Sequence, residues 1–236
     1  MKQVQDLGYK SEARRGLLFV FMAGVLWSTV GLGIRMIDEA TVWQILLYRS
    51  ISLSLFLAIV IYLRSSENLF TVVRAAGLPA CIAGLALVGA YAGGIYGIQS
   101  TSVANAMLLF ASAPFMAAIL GWIFLREKVR KATWISILFA MLGIGIMVQD
   151  KSTGSALLGN LAALGSAFGF AVFTVALRWG RSGEMLPAVF LSGIFAIFIT
   201  SSICLLSGLS FQISVNDTSI SMGMGIFQVG AGLVLY

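Results

Sequence analysis

Apolar stretches separated by short polar loops run along the whole chain. They fall at about 16–36, 42–63, 77–97, 103–125 and 133–149, then at about 156–178 and 187–207, and an eighth begins near Ser221 and continues to Tyr236. Several reach about 20 residues, enough for a helix to cross about 30 Å of hydrocarbon. Barrel strands would instead alternate and run about 10 residues. The pattern therefore predicts an all-α polytopic membrane protein. It also predicts a repeat: five spans, then the same run beginning again about 140 residues later. A repeat with an odd number of spans enters the membrane from the opposite side the second time, the inverted arrangement of many secondary transporters.

Residue matches between the halves are sparse. At an offset of 140, Leu17, Leu18 and Ala23 match Leu157, Leu158 and Ala163. At an offset of 141, Gly84, Gly89 and Ala90 match Gly225, Gly230 and Ala231. Order and spacing of the spans carry more weight. Small residues four apart, Gly89-x-x-x-Gly93-x-x-x-Gly97 and Gly165-x-x-x-Gly169, predict flat stripes where helix backbones approach closely. Those stripes serve either fixed packing or sliding of helices during transport.

Composition agrees with the pattern. Hydrophobic residues make up 59% of the chain and charged residues 10%, against roughly 45–50% and 25% in soluble domains. The net charge is +6, but the cations sit in short loops rather than on one basic face, which argues against nucleic acid. Lys2, Lys10, Arg14, Arg15, Arg64, Arg74, Arg126, Lys128, Arg130, Lys131, Arg178 and Arg181 fall on one side, Arg35 and Lys151 on the other, and Arg49 within a span. This bias predicts a cytoplasmic tail over 1–15 and a multi-pass protein of the inner or plasma membrane.

The chain lacks histidine and a phosphate-binding GxxxxGK[ST] loop, which excludes His-based catalysis, His metal sites and ATP hydrolysis by that motif. None of the nine acids falls deep in a predicted span. Asp217 is assigned to an outer loop at about 208–220, where Asn216-Asp217-Thr218 has the form of a glycosylation sequon. Cys81 and Cys204 read as small apolar packing residues. The expectation is no enzyme, with no catalytic residue, metal or cofactor.

Arg49 lies seven residues into the second span, about 10 Å below its outer edge. It either contacts an anionic substrate group or snorkels outward towards Asp38 or Glu39. The fourth span runs from Ser102 to Lys128 and carries Asn105, Phe110 and Pro114, the last expected to kink the helix. Its Pro114-Phe115, Gly121-Trp122 and closing Leu125-Arg126-Glu127 resemble the fourth helix of the EamA family, in the drug/metabolite transporter superfamily. Leu26-Trp27-Ser28 and Arg49 also resemble that family's pattern, and the resemblance runs from about 16 to 236.

That resemblance implies ten helices in two inverted five-helix repeats around a central cavity. Residues 16–149 would be the first EamA repeat. Residues 156–236 would be an incomplete second one, so that about eight of ten transmembrane helices are present, the eighth unfinished, in a C-terminally truncated chain. It implies a cavity wall including Trp27, Tyr91, Tyr96, Asn105 and Phe110, a kink at Pro114 and a cytoplasmic gate near Glu127. Trp27, Tyr91 and Tyr96 have packing or interface roles as their alternative, and Glu127 has simple balance of Arg126 and Lys128. Arg49, Asn105 and the buried amide Gln228 would be the polar handles, with an interhelical hydrogen bond as the alternative role of Gln228. The expected function is export of small metabolites, amino acids or amphipathic compounds by alternating access. The expected partners are a small-molecule substrate and the lipid bilayer, with a homodimer left open. The alternatives are a non-transporting scaffold and a sugar-phosphate or nucleotide-sugar exchanger.

Overall fold

The computed structural model describes residues 16–64, 69–149, 154–180 and 185–232. The predicted tail 1–15, the outer Lys151 and the terminal Tyr236 lie outside them. No strand occurs among the described residues, which form an all-helical, polytopic arrangement. In chain order the helices are α1 (Gly16–Arg35), α2 (Val42–Arg64), α3 (Leu69–Ser100), α4 (Val103–Leu125), α5 (Lys131–Gln149), α6 (Gly154–Trp179) and α7 (Leu186–Leu206), followed by α8. Helix α8 starts at Val215 and widens into a π-helix over Met224–Ala231. "Inner" denotes below the end carrying most of the cations, and "outer" the opposite end.

Two boundaries differ from expectation. Residues 69–76, read as loop, are helical, and the predicted start at 77 is a kink inside α3. There Gly77 adopts φ 64°, ψ −162°, two residues before Pro79, a backbone region open to glycine but not to a residue with a Cβ. Helix α8 starts six residues before Ser221, because Ser214 caps it: its hydroxyl accepts from the backbone N–H of Asp217 at 3.0 Å.

At Pro114 the expected kink takes the form of a break just before the proline. Helix α4 consists of two pieces, Val103–Phe110 and Ala113–Leu125, interrupted at Ala111–Ser112. Proline then falls in the first turn of the second piece, where helices tolerate it, and its missing N–H would otherwise have reached back to the carbonyl of Phe110 across the break. Ser112 stitches the break, its hydroxyl donating to the carbonyl of Leu109 at 2.6 Å.

The most extensive packing joins α3 to α6. A Cβ built on Gly93 would lie 2.6 Å from the carbonyl of Ala162, one on Gly97 3.2 Å from that of Gly159, and one on Gly169 2.8 Å from that of Ala86. At Gly93 and Gly169 a side chain would force the backbones apart, and at Gly97 it would press on a tight contact. The predicted stripes are thus half right. Gly89 and Gly165 face open space, and alanines and Ser166 complete the interface, the serine donating to the carbonyl of Ala90 at 2.6 Å.

One pair of glycines makes matching contacts 141 residues apart. Gly84 of α3 packs on the backbone of Ala188 and Ser192 in α7, and Gly225 of α8 packs on the backbone of Arg49 and Leu53 in α2. Ala23 and Ala163, matched at offset 140, are both fully buried. Two apolar clusters fill the bundle. The outer one gathers Ile34, Ile45, Ile95, Leu109 and Met224, and the inner one Leu53, Leu87, Phe173, Leu177 and Val189.

Candidate functional site

Helix α2 presents its polar positions inward: Gln44, Arg49, Ser50, Ser52 and Ser54 are all buried. Arg49 is 4% exposed. Its guanidinium carbon lies 4.3 Å above the ring centroid of Tyr91 on α3, and its Nε has no hydrogen-bond partner among the described residues. No described carboxylate pairs with it. It does not snorkel to Asp38 or Glu39, so that reading is corrected. The aromatic face offsets about 2 kcal/mol or more of the cost of burying a cation, well short of what a paired anion supplies.

Phe110 joins this group. A Cβ on Gly94, three residues beyond Tyr91, would meet the Phe110 ring tip at 3.5 Å, and Tyr91 and Phe110 both pack against the outer cluster. Trp27 lies further in, its indole against Gly232 of α8. Gln228 sits one π-turn before that glycine, 6% exposed, its Oε1 without a hydrogen-bond partner among the described residues. Asn105 is half-buried in the first turn of α4, its backbone N–H held by Ser102 at 3.1 Å, and Tyr96 is 38% exposed. The structure thus brings Arg49 and Tyr91 together, with Phe110 packed against the same apolar cluster as Tyr91, sets Trp27 beside the end of α8 that carries Gln228, and leaves Asn105 and Tyr96 at the edges.

At the inner end, Glu127 accepts from Arg178 of α6 at 2.7 Å, with the side chains 42% and 44% exposed. The local geometry explains the Gly-Trp and Leu-x-Glu residues together. Arg126 ends α4 in the left-handed region (φ 54°) and the N–H of Glu127 returns to the carbonyl of Gly121 at 3.3 Å. A Cβ on Gly121 would come within 2.9 Å of the Glu127 carboxylate. Glu127 therefore does more than balance Arg126 and Lys128: it ties α4 to α6.

At the outer end stands a residue that sequence reading assigned to a loop. Asp217 is fully buried. Its Oδ1 accepts from the N–H of Asp38 at 3.2 Å, and its Oδ2 from those of Glu39 at 3.3 Å and Ala40 at 3.1 Å. Burial alone would raise its pKa. The three N–H groups and the Ser214 hydroxyl outweigh that and hold it below the usual carboxylate value. Around it, Gln99 donates to the carbonyl of Ala40 at 3.2 Å, Gln44 to that of Ser210 at 2.6 Å, and Tyr48 to that of Phe211 at 2.6 Å. Ser214-x-x-Asp217 is an N-cap pattern, and it is the signal that could have placed this carboxylate at a helix start.

A match over residues 14–149, more than half of the sequence, is to the EamA-like transporter family. The chain belongs to this family. This EamA-like chain is 24% identical over 237 residues to the protein RarD of Escherichia coli, covering 94% of the chain and 74% of RarD. It is 27% identical over 199 residues to RarD of Salmonella typhi, covering 80% of the chain and 65% of that relative. The uncharacterized transporter YetK of Bacillus subtilis is 36% identical over 87 residues, 34% of the chain and 26% of YetK. The chain thus spans from about a quarter to three-quarters of these relatives. A protein crystal structure superposes with a TM-score of 0.67 at 18% identity, over 93% of this chain and 77% of that one, and shares the EamA-like chain's fold.

Proposed function

We propose that this EamA-like chain serves as a secondary transporter, exporting small metabolites, amino acids or amphipathic compounds by alternating access. The substrate would bind near the bilayer midplane against Arg49, Tyr91 and Phe110, with Trp27 and Gln228 at the deeper level. One observation carries the reading: Arg49 is a buried cation on an aromatic face with no acid beside it among the described residues. A cation held that way is set to gain most from an arriving carboxylate, which would supply the missing charge and hydrogen bonds. The contacts of Gly84 and Gly225 support two related halves that move against each other. A phosphate exchanger would call for more cations within the spans than Arg49 provides.

The test is uptake into proteoliposomes containing the protein, comparing a carboxylate substrate with its neutral amide. Arg49→Gln should cut carboxylate transport at least about tenfold, the loss of a charge-assisted hydrogen bond, and leave the amide within a factor of about two. Arg49→Lys should recover part of it, since lysine keeps the charge without the planar fork. Equal transport of the carboxylate by wild type and Arg49→Gln would remove Arg49 from the site.

A further inference from the structure

Where α4 turns into α5, the chain folds around an open cleft of about 670 Å³. Trp122 and Trp134 form one wall, edge to face, with centroids 5.4 Å apart and planes at 87°. Arg126 and Lys128 line the rim. We propose that this cleft is a binding site for an anionic phospholipid of the inner leaflet, its phosphate held by Arg126 and Lys128 and its upper acyl chains lying along Trp122.

Charge carries the first step. The one acid lining the cleft is Glu127, and its charge is matched by Arg178 at 2.7 Å. Among the described residues no other acid pairs with the two rim cations, which are left for an external anion. Arg126 is exposed at the end of α4, where its left-handed backbone (φ 54°) turns the chain away from the helix, and its guanidinium carries donors that suit two phosphate oxygens.

The walls decide which source of phosphate fits. Trp122 is 50% exposed and Trp134 37%, and the neighbouring Ile123 and Phe124 are exposed at 53% and 72%, so apolar surface surrounds this end of α4. A free anion has no use for such a surface. A phospholipid covers it with its chains while its headgroup stays at the level of the aromatic rings, where tryptophan favours the membrane interface. Basic pockets between helices on the cytoplasmic side suit anionic headgroups for the same reason.

The test is native mass spectrometry of the purified protein in detergent, with phosphatidylglycerol, phosphatidylcholine or inorganic phosphate added. The protein should retain one phosphatidylglycerol in preference to phosphatidylcholine, and millimolar phosphate should not displace it. The Arg126→Gln/Lys128→Gln variant should lose about 25-fold in apparent affinity, about fivefold for each cation removed. Arg126→Lys/Lys128→Arg should retain binding, which separates charge from folding. Brominated phosphatidylglycerol should quench tryptophan fluorescence, and Trp122→Phe/Trp134→Phe should remove most of that quenching. Equal retention of the two lipids, an unchanged double Gln variant, displacement by phosphate, or quenching that survives loss of both tryptophans would each overturn the site.

Discussion

At the outer end of the bundle, one fully buried carboxylate gathers three backbone N–H groups from the α1–α2 loop, and Gln44, Tyr48 and Gln99 tie neighbouring loops around it. At the inner end, one ion pair, Glu127 with Arg178, joins α4 to α6 with both side chains more than two-fifths exposed. Both devices cross from the first half of the chain to the second, yet they differ in kind. A buried network is costly to break because every member left unpaired carries its desolvation penalty. An exposed pair exchanges readily for water and salt. On the proposed alternating-access reading, the contrast predicts easier opening at the end that carries the exposed pair, with the Asp217 end as the closure that a substrate must help to undo.

Removing Asp217 is the most direct way to break that contrast. Asp217→Ala leaves three backbone donors facing a cavity, and should cost about 3 kcal/mol or more at about 1–3 kcal/mol for each unsatisfied group. Thermal unfolding in detergent measures it. Asp217→Asn keeps one acceptor and should fall between. A loss no larger than that caused by Glu127→Gln would show that the outer end is not the stronger one. The pH dependence has a definite sign. Because the folded pKa of Asp217 is lowered, its stabilisation is fully present above the unfolded value of about 3.9 and is lost as pH falls through the lower folded value. The stability gap between wild type and Asp217→Asn should therefore stay constant from neutral pH down to about pH 5 and shrink only in stronger acid.

Gln44 sharpens the same side. Its amide donates to the carbonyl of Ser210 at 2.6 Å, and its oxygen accepts from the N–H and hydroxyl of Thr41, each at 2.9 Å. Gln44→Leu keeps the volume and frees all three partners, so a loss of about 1–2 kcal/mol is expected, smaller than at Asp217 because Thr41 lies near water. Differential unfolding of the Gln44→Leu and Asp217→Ala variants, singly and together, measures their coupling. Strict additivity would mean that the outer end is a set of separate bonds and not a network.

What the sequence revealed and what it hid follow from the range of each interaction. The all-helical, membrane-spanning class is summed over tens of residues and was legible, with six helices long and apolar enough to cross a membrane among the described residues. Arg49 was legible as an anomaly, a cation where composition allows few, but its partner was not, since Tyr91 meets it only through helix packing. The glycine stripes gave the right helices and half the right residues, because spacing defines a face and cannot say which glycine meets backbone. Glu127 was visible as a motif, while its partner Arg178 lies 51 residues away. Asp217 was misplaced because an acid between Asn216 and Thr218 reads as solvated loop, and its three donors belong to a loop about 178 residues earlier. The π-helix around Gln228 had no signal beyond a density of glycines.

The smallest expected effect belongs to the inner pair. Glu127→Gln and Arg178→Gln should each change stability by less than about 1 kcal/mol, and a double-mutant cycle should give a coupling of about 0.2–1 kcal/mol. That coupling should fall as salt rises from 0.1 to 1 M, where the screening length drops from about 10 Å to about 3 Å. Gly121→Ala probes the same contact without touching charge, since its methyl group would press on the Glu127 carboxylate and should lower the coupling as removal of either partner does. The swapped pair, Glu127→Arg with Arg178→Glu, should restore part of it, less than fully because Arg126 and Lys128 flank the new arginine. A coupling of about 3 kcal/mol or more, insensitive to salt, is the signature of a buried pair. It would place the inner end on the same footing as Asp217 and leave the direction of easier opening to something other than these two closures.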